Sequence, residues 1–145
     1  IEYVDAHISN RAHEIIEVED SAEGVIKYKS GVITGFYTVN YYGYDAPVEI
    51  ELYCEHGIVK MVADKATVTM NDGSVFIADK NPNESFNYGN VKGYWGVSHV
   101  KQINQFYDSI QSGKELDVTA ADAYKTQEMV SAIYESGKTG KRIIF

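Results

Sequence analysis

The chain has a single cysteine, two prolines and no apolar run long enough to cross a bilayer among its 145 residues. Each scarcity excludes something. One cysteine makes no internal disulfide, which fits a reducing compartment, and Cys54 stands in an alternating apolar pattern where a small buried hydrophobe is expected. Few prolines and no biased tracts argue against a disordered or fibrous chain, so a folded domain is expected. The start, Ile1-Glu2-Tyr3-Val4-Asp5, has neither the basic region nor the apolar stretch of a signal peptide, and a cytoplasmic location follows as an expectation. It also lacks an initiating methionine and opens directly in a strand-like pattern, as expected of a piece taken from a longer protein. Positive charge is scarce as well. Thirteen basic residues face twenty-one acidic ones, and the basic ones are scattered, so neither nucleic acid nor an anionic membrane is an expected partner.

Several chemical motifs are missing too. A dinucleotide-binding turn needs G-x-G-x-x-G, yet no two of the twelve glycines are separated by a single residue, so this chain by itself is expected to bind no NAD or NADP. The four histidines, His7, His13, His56 and His99, never fall at i, i+3 or i+4, and no metal site is expected. There is no G-x-S-x-G elbow for a serine nucleophile. Gly137-Lys138-Thr139 imitates the end of a phosphate-binding loop but closes a helical segment instead of opening one, so it reads as a helix cap. The acidic group Glu14, Glu17, Glu19, Asp20 and Glu23 reads as a solvated face before a strand.

What is present is order. Up to about Ala78 apolar residues recur with period two, and after about Ser98 they recur with the helical period. Val4, Ala6 and Ile8 alternate with Asp5 and His7; Ile33, Gly35, Tyr37, Val39 and Tyr41 share a face; Val48, Ile50, Leu52 and Cys54 oppose Glu49, Glu51 and Tyr53. Turns at Lys29-Ser30-Gly31, Tyr42-Gly43-Tyr44-Asp45, Glu55-His56-Gly57 and Asn71-Asp72-Gly73 keep the connections short, which implies antiparallel pairing. Asp79 to Gly93 reads as a long connection. Val100, Ile103, Phe106, Tyr107 and Ile110 then form a helical stripe behind a Ser98 cap, ending at Gly113. A second helix starts at Thr119 with Asp122 completing a capping-box-like pair and stops near Gly137; Arg142 to Phe145 add a short strand. Strands first and helices last predict an α+β domain over residues 1–145: an open, mainly antiparallel β-sheet with helices packed on one face.

Twelve tyrosines against five phenylalanines is a wet choice of aromatic residue, and Tyr37, Tyr41, Tyr42 and Tyr44 crowd one strand end and its turn. A phenol offers a flat apolar face and a hydroxyl, which suits a ring carrying several hydroxyls; strand preference or cover by a second subunit would select tyrosine equally.

The order of segments resembles a known family. Val18-Glu19-Asp20-Ser21-Ala22, Ser30-Gly31-Val32, Tyr42-Gly43-Tyr44-Asp45, and Val48-Glu49-Ile50 through His56-Gly57-Ile58 look like the carboxyl-terminal domain of Gfo/Idh/MocA oxidoreductases, the inositol 2-dehydrogenase-like and glucose-fructose oxidoreductase-like enzymes. The stretch from His99 to Phe106-Tyr107-Asp108-Ser109-Ile110, then Ala121-Asp122-Ala123 and Ile133-Tyr134-Glu135-Ser136-Gly137-Lys138-Thr139-Gly140-Lys141, is similar to that family's closing helices. The resemblance implies a glyceraldehyde-3-phosphate dehydrogenase-like carboxyl-terminal domain whose uncovered sheet face serves oligomerisation, as a homodimer or tetramer. It also implies an amino-terminal Rossmann domain, absent from this chain, that holds NAD or NADP. The parent would oxidise a hydroxyl of a sugar or polyol. The family's catalytic lysine, in a Glu-Lys-Pro motif, and its Asp and His pair are not found in this sequence, so the fragment alone is expected to be inactive and supplies no catalytic residue. By the same resemblance Tyr42, Tyr44 and Asp45 are the substrate contacts, and behind them Arg11, His13 and His99 sit where other members place loops facing the cofactor domain. The alternative is a non-catalytic module that binds a sugar or assembles subunits.

Overall fold

The computed structural model describes residues 1–44, 46–84, 89 and 96–145. In chain order the elements are β1 (Tyr3–Ser9), β2 (Ser21–Lys27), β3 (Ile33–Val39), β4 (Glu49–Cys54) and β5 (Gly57–Val62). They continue with β6 (Lys65–Met70), β7 (Val75–Ala78), α1 (Val97–Ser112), α2 (Ala120–Thr139) and β8 (Ile143–Ile144). The expected α+β class is observed, with the strands arranged as two four-stranded antiparallel sheets, β3-β2-β1-β8 and β4-β5-β6-β7. These sheets belong to two compact units, one of Ile1–Tyr44 with Asp117–Phe145 and one of Asp45–Leu116.

In the first unit alternation decides which face is buried. Val4, Ala6 and Ile8 point to one side of β1, and β2 continues that side with Gly24 opposite Ala6 and Ile26 opposite Val4. Helix α2 covers it: Val4, Ile26 and Ala132 are buried and Ala6, Phe36, Met129, Ile133 and Ile143 pack around them. Ser136 of α2 is fully buried, accepts the Ala6 amide at 2.9 Å and donates to the Ala6 carbonyl at 3.4 Å, which satisfies polar backbone at the part of β1 that β8 does not reach. In this unit close approach requires glycine at two of the described positions. A Cβ on Gly24 would lie 2.5 Å from the Asp5 carbonyl oxygen, and one on Gly137 would lie 2.6 Å from the Ile8 side chain.

The α2 cap is the one expected, with the Thr119 hydroxyl accepting the Asp122 amide at 3.2 Å and the Asp122 carboxylate accepting the Thr119 amide. That hydrogen bonding from Thr119 holds the Asp122 carboxyl below its ordinary value. The stop expected near Gly137 falls just beyond it: the helix runs through Gly137 to Thr139, and Gly140, in the left-handed region at φ 64°, ends it. Gly137 serves packing against Ile8 instead.

In the second unit the β4–β7 register places Ile50, Leu52 and Cys54 on the same face as Val59 and Met61, then Ala66, Val68 and Met70, then Phe76 and Ala78. The opposite face carries Glu49, Glu51 and Tyr53 with Lys60, joined by ion pairs of 3.0 Å to Glu51 and 3.6 Å to Glu49. Cys54 is exposed, not buried as its pattern suggested, because alternation sets its face and, among the described residues, none of its unit buries it. The start of α1 also differs from expectation. Its N-cap is Gly96, which offers no side-chain bond, and Ser98 lies inside the helix; Gly113 closes it at φ 69° as expected. The stripe Val100, Ile103, Phe106, Tyr107 and Ile110 forms but stays exposed. Of the long connection 79–93, residues 85–88 and 90–93 lie outside the described residues.

Candidate functional site

The loop between β1 and β2 is long for an antiparallel connection, and one carboxylate folds it. Asp20 is 2% exposed and accepts backbone N–H groups from Arg11 at 2.9 and 3.0 Å, Ala12 at 2.7 Å and His13 at 3.0 Å. Burial pushes this carboxyl up, but the amides of Ala12, Arg11 and His13 and the His13 side chain outweigh it, so it lies well below the ordinary range. The reading of Asp20 as part of a solvated acidic face is therefore corrected: its charge is buried and turned inward onto the backbone. The His13 Nδ1 is itself buried, 3.4 Å from Asp20 Oδ2, an electrostatic contact longer than a well-formed hydrogen bond of about 2.7–3.2 Å.

This anchored loop delivers two side chains to the end of β3. The Arg11 guanidinium donates to Glu23 Oε1 at 2.9 Å, and the Tyr41 hydroxyl lies beside it. Glu23 is on the middle strand, in register with His7 of β1 and Tyr37 of β3, so the three share one face. The nearby Tyr41 hydroxyl chiefly pushes the Tyr37 phenol up, with burial adding and Arg11 opposing. The His13 and Tyr41 rings lie 6.5 Å apart, and Tyr42 meets Tyr44 edge-on at 5.8 Å. Tyr42 and Tyr44 are 55% and 70% exposed, which leaves both rings open to a ligand.

Of the residues singled out from sequence, Arg11, His13, Tyr42 and Tyr44 thus lie in the first unit, with Tyr37 and Tyr41 supplying the links. His99 belongs to α1 of the other unit, and Asp45 lies outside the described residues. Asp20 and Glu23 look in sequence like members of the solvated acidic group, yet one builds the loop and the other pairs with its arginine. The gathered groups offer a fixed donor, a fixed acceptor, two-way hydroxyls and flat rings, a set suited to a polyhydroxylated ligand. Among the described residues no three histidine, cysteine or acidic side chains come together as metal ligands.

The family model for the oxidoreductase family, C-terminal alpha/beta domain, matches residues 2–144. The chain belongs to the Gfo/Idh/MocA oxidoreductase family. No curated protein matches it in sequence. Solved structures share the Gfo/Idh/MocA fold. An oxidoreductase from Agrobacterium radiobacter, in complex with NAD+, L-tartaric acid and magnesium, superposes with a TM-score of 0.80 at 21% identity over 99% of this chain and 43% of its own. Aldose-aldose oxidoreductase from Caulobacter crescentus, with glycerol, gives 0.70 at 17% identity over 99% of this chain and 41% of its own. The WlbA dehydrogenase from Bordetella pertussis, with NADH and UDP-GlcNAcA, gives 0.61 at 15% over 99% and 40%. The Gfo/Idh/MocA domain described here therefore spans less than half the length of these proteins, and at such identities the likeness carries the fold alone.

Proposed function

We propose that this chain is the substrate-side domain of a cytoplasmic, NAD- or NADP-dependent oxidoreductase acting on a hydroxyl of a sugar or polyol. The observation that carries the reading is the meeting of Arg11, Glu23, Tyr37 and Tyr41 beside the Tyr42 and Tyr44 rings, held by the Asp20-anchored loop. Hydroxyl-bearing ligands named with the similar structures, L-tartaric acid, glycerol and UDP-GlcNAcA, support it. The nicotinamide is assigned to another domain because the sequence of this chain lacks the dinucleotide signature. The chain has no glycine-rich turn, and the N-terminus of α2, where a phosphate would be drawn, is occupied by its own Asp122. An amino-terminal Rossmann domain would hold the cofactor and supply the catalytic groups, while this domain supplies walls and contacts from Tyr42, Tyr44, Arg11 and His13, with Asp45 and His99 added by family resemblance. No helix among the described residues is long and apolar enough to cross a membrane, in keeping with that setting.

The full-length protein, supplied with NAD+ or NADP+ and a panel of sugars and polyols, is expected to reduce the nicotinamide, followed by absorbance. Arg11→Met should lower kcat/KM by roughly tenfold to a hundredfold, the loss of a charged hydrogen bond to substrate. No turnover with any member of the panel, or turnover indifferent to Arg11→Met, would overturn the assignment.

A role in subunit assembly is favoured by a separate observation, the apolar face of β4–β7, on which Ile50, Leu52, Met61 and Phe76 are all more than a third exposed. An exposed apolar patch of this kind supports an interface, and a homodimer or tetramer through this face is expected. Sedimentation should show an oligomer that Leu52→Glu converts to monomer. A wild-type monomer at high concentration would refute it.

A further inference from the structure

The nature of the ligand can be narrowed from the partner that Arg11 already has, an inference that rests on the substrate-side reading above. An arginine at the rim of a binding site favours a carboxylate, which it grips with two parallel bonds. Here one guanidinium nitrogen is already engaged by Glu23 at 2.9 Å, and both side chains remain about two-fifths exposed, at 42% and 41%. An exposed pair of this kind adds little to stability, so fold maintenance does not explain the arrangement. Glu23 is held rigidly on the central strand between His7 and Tyr37, while Arg11 is set by a loop whose backbone is tied to Asp20. The two charges are therefore presented at fixed positions beside one another.

Such a pair offers a strong donor next to a strong acceptor. Neighbouring hydroxyls on a sugar or cyclitol ring match it, one accepting from Arg11 while the next donates to Glu23. Tyr37, in register with Glu23, and Tyr41, near Arg11, extend the row with two hydroxyls, and the exposed Tyr42 and Tyr44 rings offer an apolar surface for ring C–H groups. A sugar acid that placed its carboxylate on Arg11 would bring it against Glu23, and two like charges within a few ångströms oppose one another. We propose that the Arg11–Glu23 pair is the specificity element of this site: it takes an uncharged vicinal diol, and Glu23 rejects the corresponding sugar acids.

The test measures binding to the full-length protein by calorimetry, with ligand-observed NMR for the weaker cases, using matched probes: D-glucose with D-glucuronate, D-galactose with D-galacturonate, and myo-inositol as an uncharged reference. The wild type is expected to bind the uncharged member of at least one pair roughly fivefold to tenfold more tightly than its acid. Glu23→Gln should bring acid and neutral sugar to parity or invert their order. Glu23→Asp, which keeps the charge, should retain the preference for the neutral sugar, and Arg11→Met should weaken both. Both positions are half-exposed, and unchanged melting temperatures would confirm that the variants fold. A wild type that prefers the acid, or a Glu23→Gln variant with an unaltered ratio, overturns diol selection while leaving the substrate-side reading in place. A wild type that binds none of the five probes overturns both.

Discussion

Gly24→Val is expected to unfold the β1-β2-β3-α2 unit or to leave it destabilised by about 3 kcal/mol, a cost typical of forcing volume into a filled interior. Gly24 is at the centre of β2, opposite Ala6, on the face that α2 covers. A Cβ there would come within 2.5 Å of the Asp5 carbonyl oxygen and 2.8 Å of the Ala6 Cα. Both obstacles are backbone, so no rotamer change relieves them; either β1 moves away from β2 or their ladder breaks. A denaturant titration read by circular dichroism measures the effect. Gly43→Val is the control, since a Cβ at Gly43 meets nothing within 4 Å and that variant should stay close to wild type. Equal midpoints for the two variants would refute the close-packing account of β1 and β2.

The second large effect is expected at Asp20. Asp20→Asn keeps the shape of the side chain but replaces one accepting oxygen with an N–H₂ group that faces the amides of Arg11, Ala12 and His13. Repulsion between donors should open the loop, lower the melting temperature by roughly 5–10 °C and weaken sugar binding, because Arg11 and His13 are carried on the same turn. The pH dependence has a definite sign. The folded-state carboxyl lies below its ordinary value, so its contribution is complete above about pH 4, where the unfolded chain's aspartate is ionised, and is lost as pH falls from there toward the folded value. The gap in melting temperature between wild type and Asp20→Asn should hold from neutral pH to about pH 5 and close toward pH 2. A gap that is constant down to acid pH would show that the ionised carboxylate is not what anchors the loop.

The contrast between Asp20 and the rest of the acidic group shows how far the sequence could be read. Glu14, Glu17, Glu19, Asp20 and Glu23 look alike as letters in a charged run, and most such runs are solvated. What sets Asp20 apart is a chain reversal that returns three amides to its carboxylate, a geometry with no periodic signature. Glu23 is set apart only by tertiary structure, since the pairing of β2 with β3 brings Tyr37 beside it and the folded loop returns Arg11 to it. Strands and turns were legible because a period of two and glycine at a turn act locally. Exposure of Cys54 was not legible, because alternation says which residues share a face and never says what lies against it. Helix ends fell between these cases. Thr119 and Asp122 formed their box as written, whereas the stop expected near Gly137 falls at Gly140, where the backbone turns left-handed. At the start of α1, Ser98 had the better capping chemistry, yet the helix begins before it, at Val97, with Gly96 as the N-cap.

The fully buried Ser136 hydroxyl, seated on Ala6, joins residues 130 positions apart, and Phe145 donates its amide to the Glu2 carbonyl at 3.1 Å. On the ribosome this has a timing consequence. The first strand emerges with its apolar side uncovered and waits for the last helix of this stretch, while the 45–116 segment between them is free to organise meanwhile. Nascent chains stalled anywhere before α2 has cleared the exit tunnel should therefore be open to proteases and holding chaperones along β1, and protection there should arrive in a single late step.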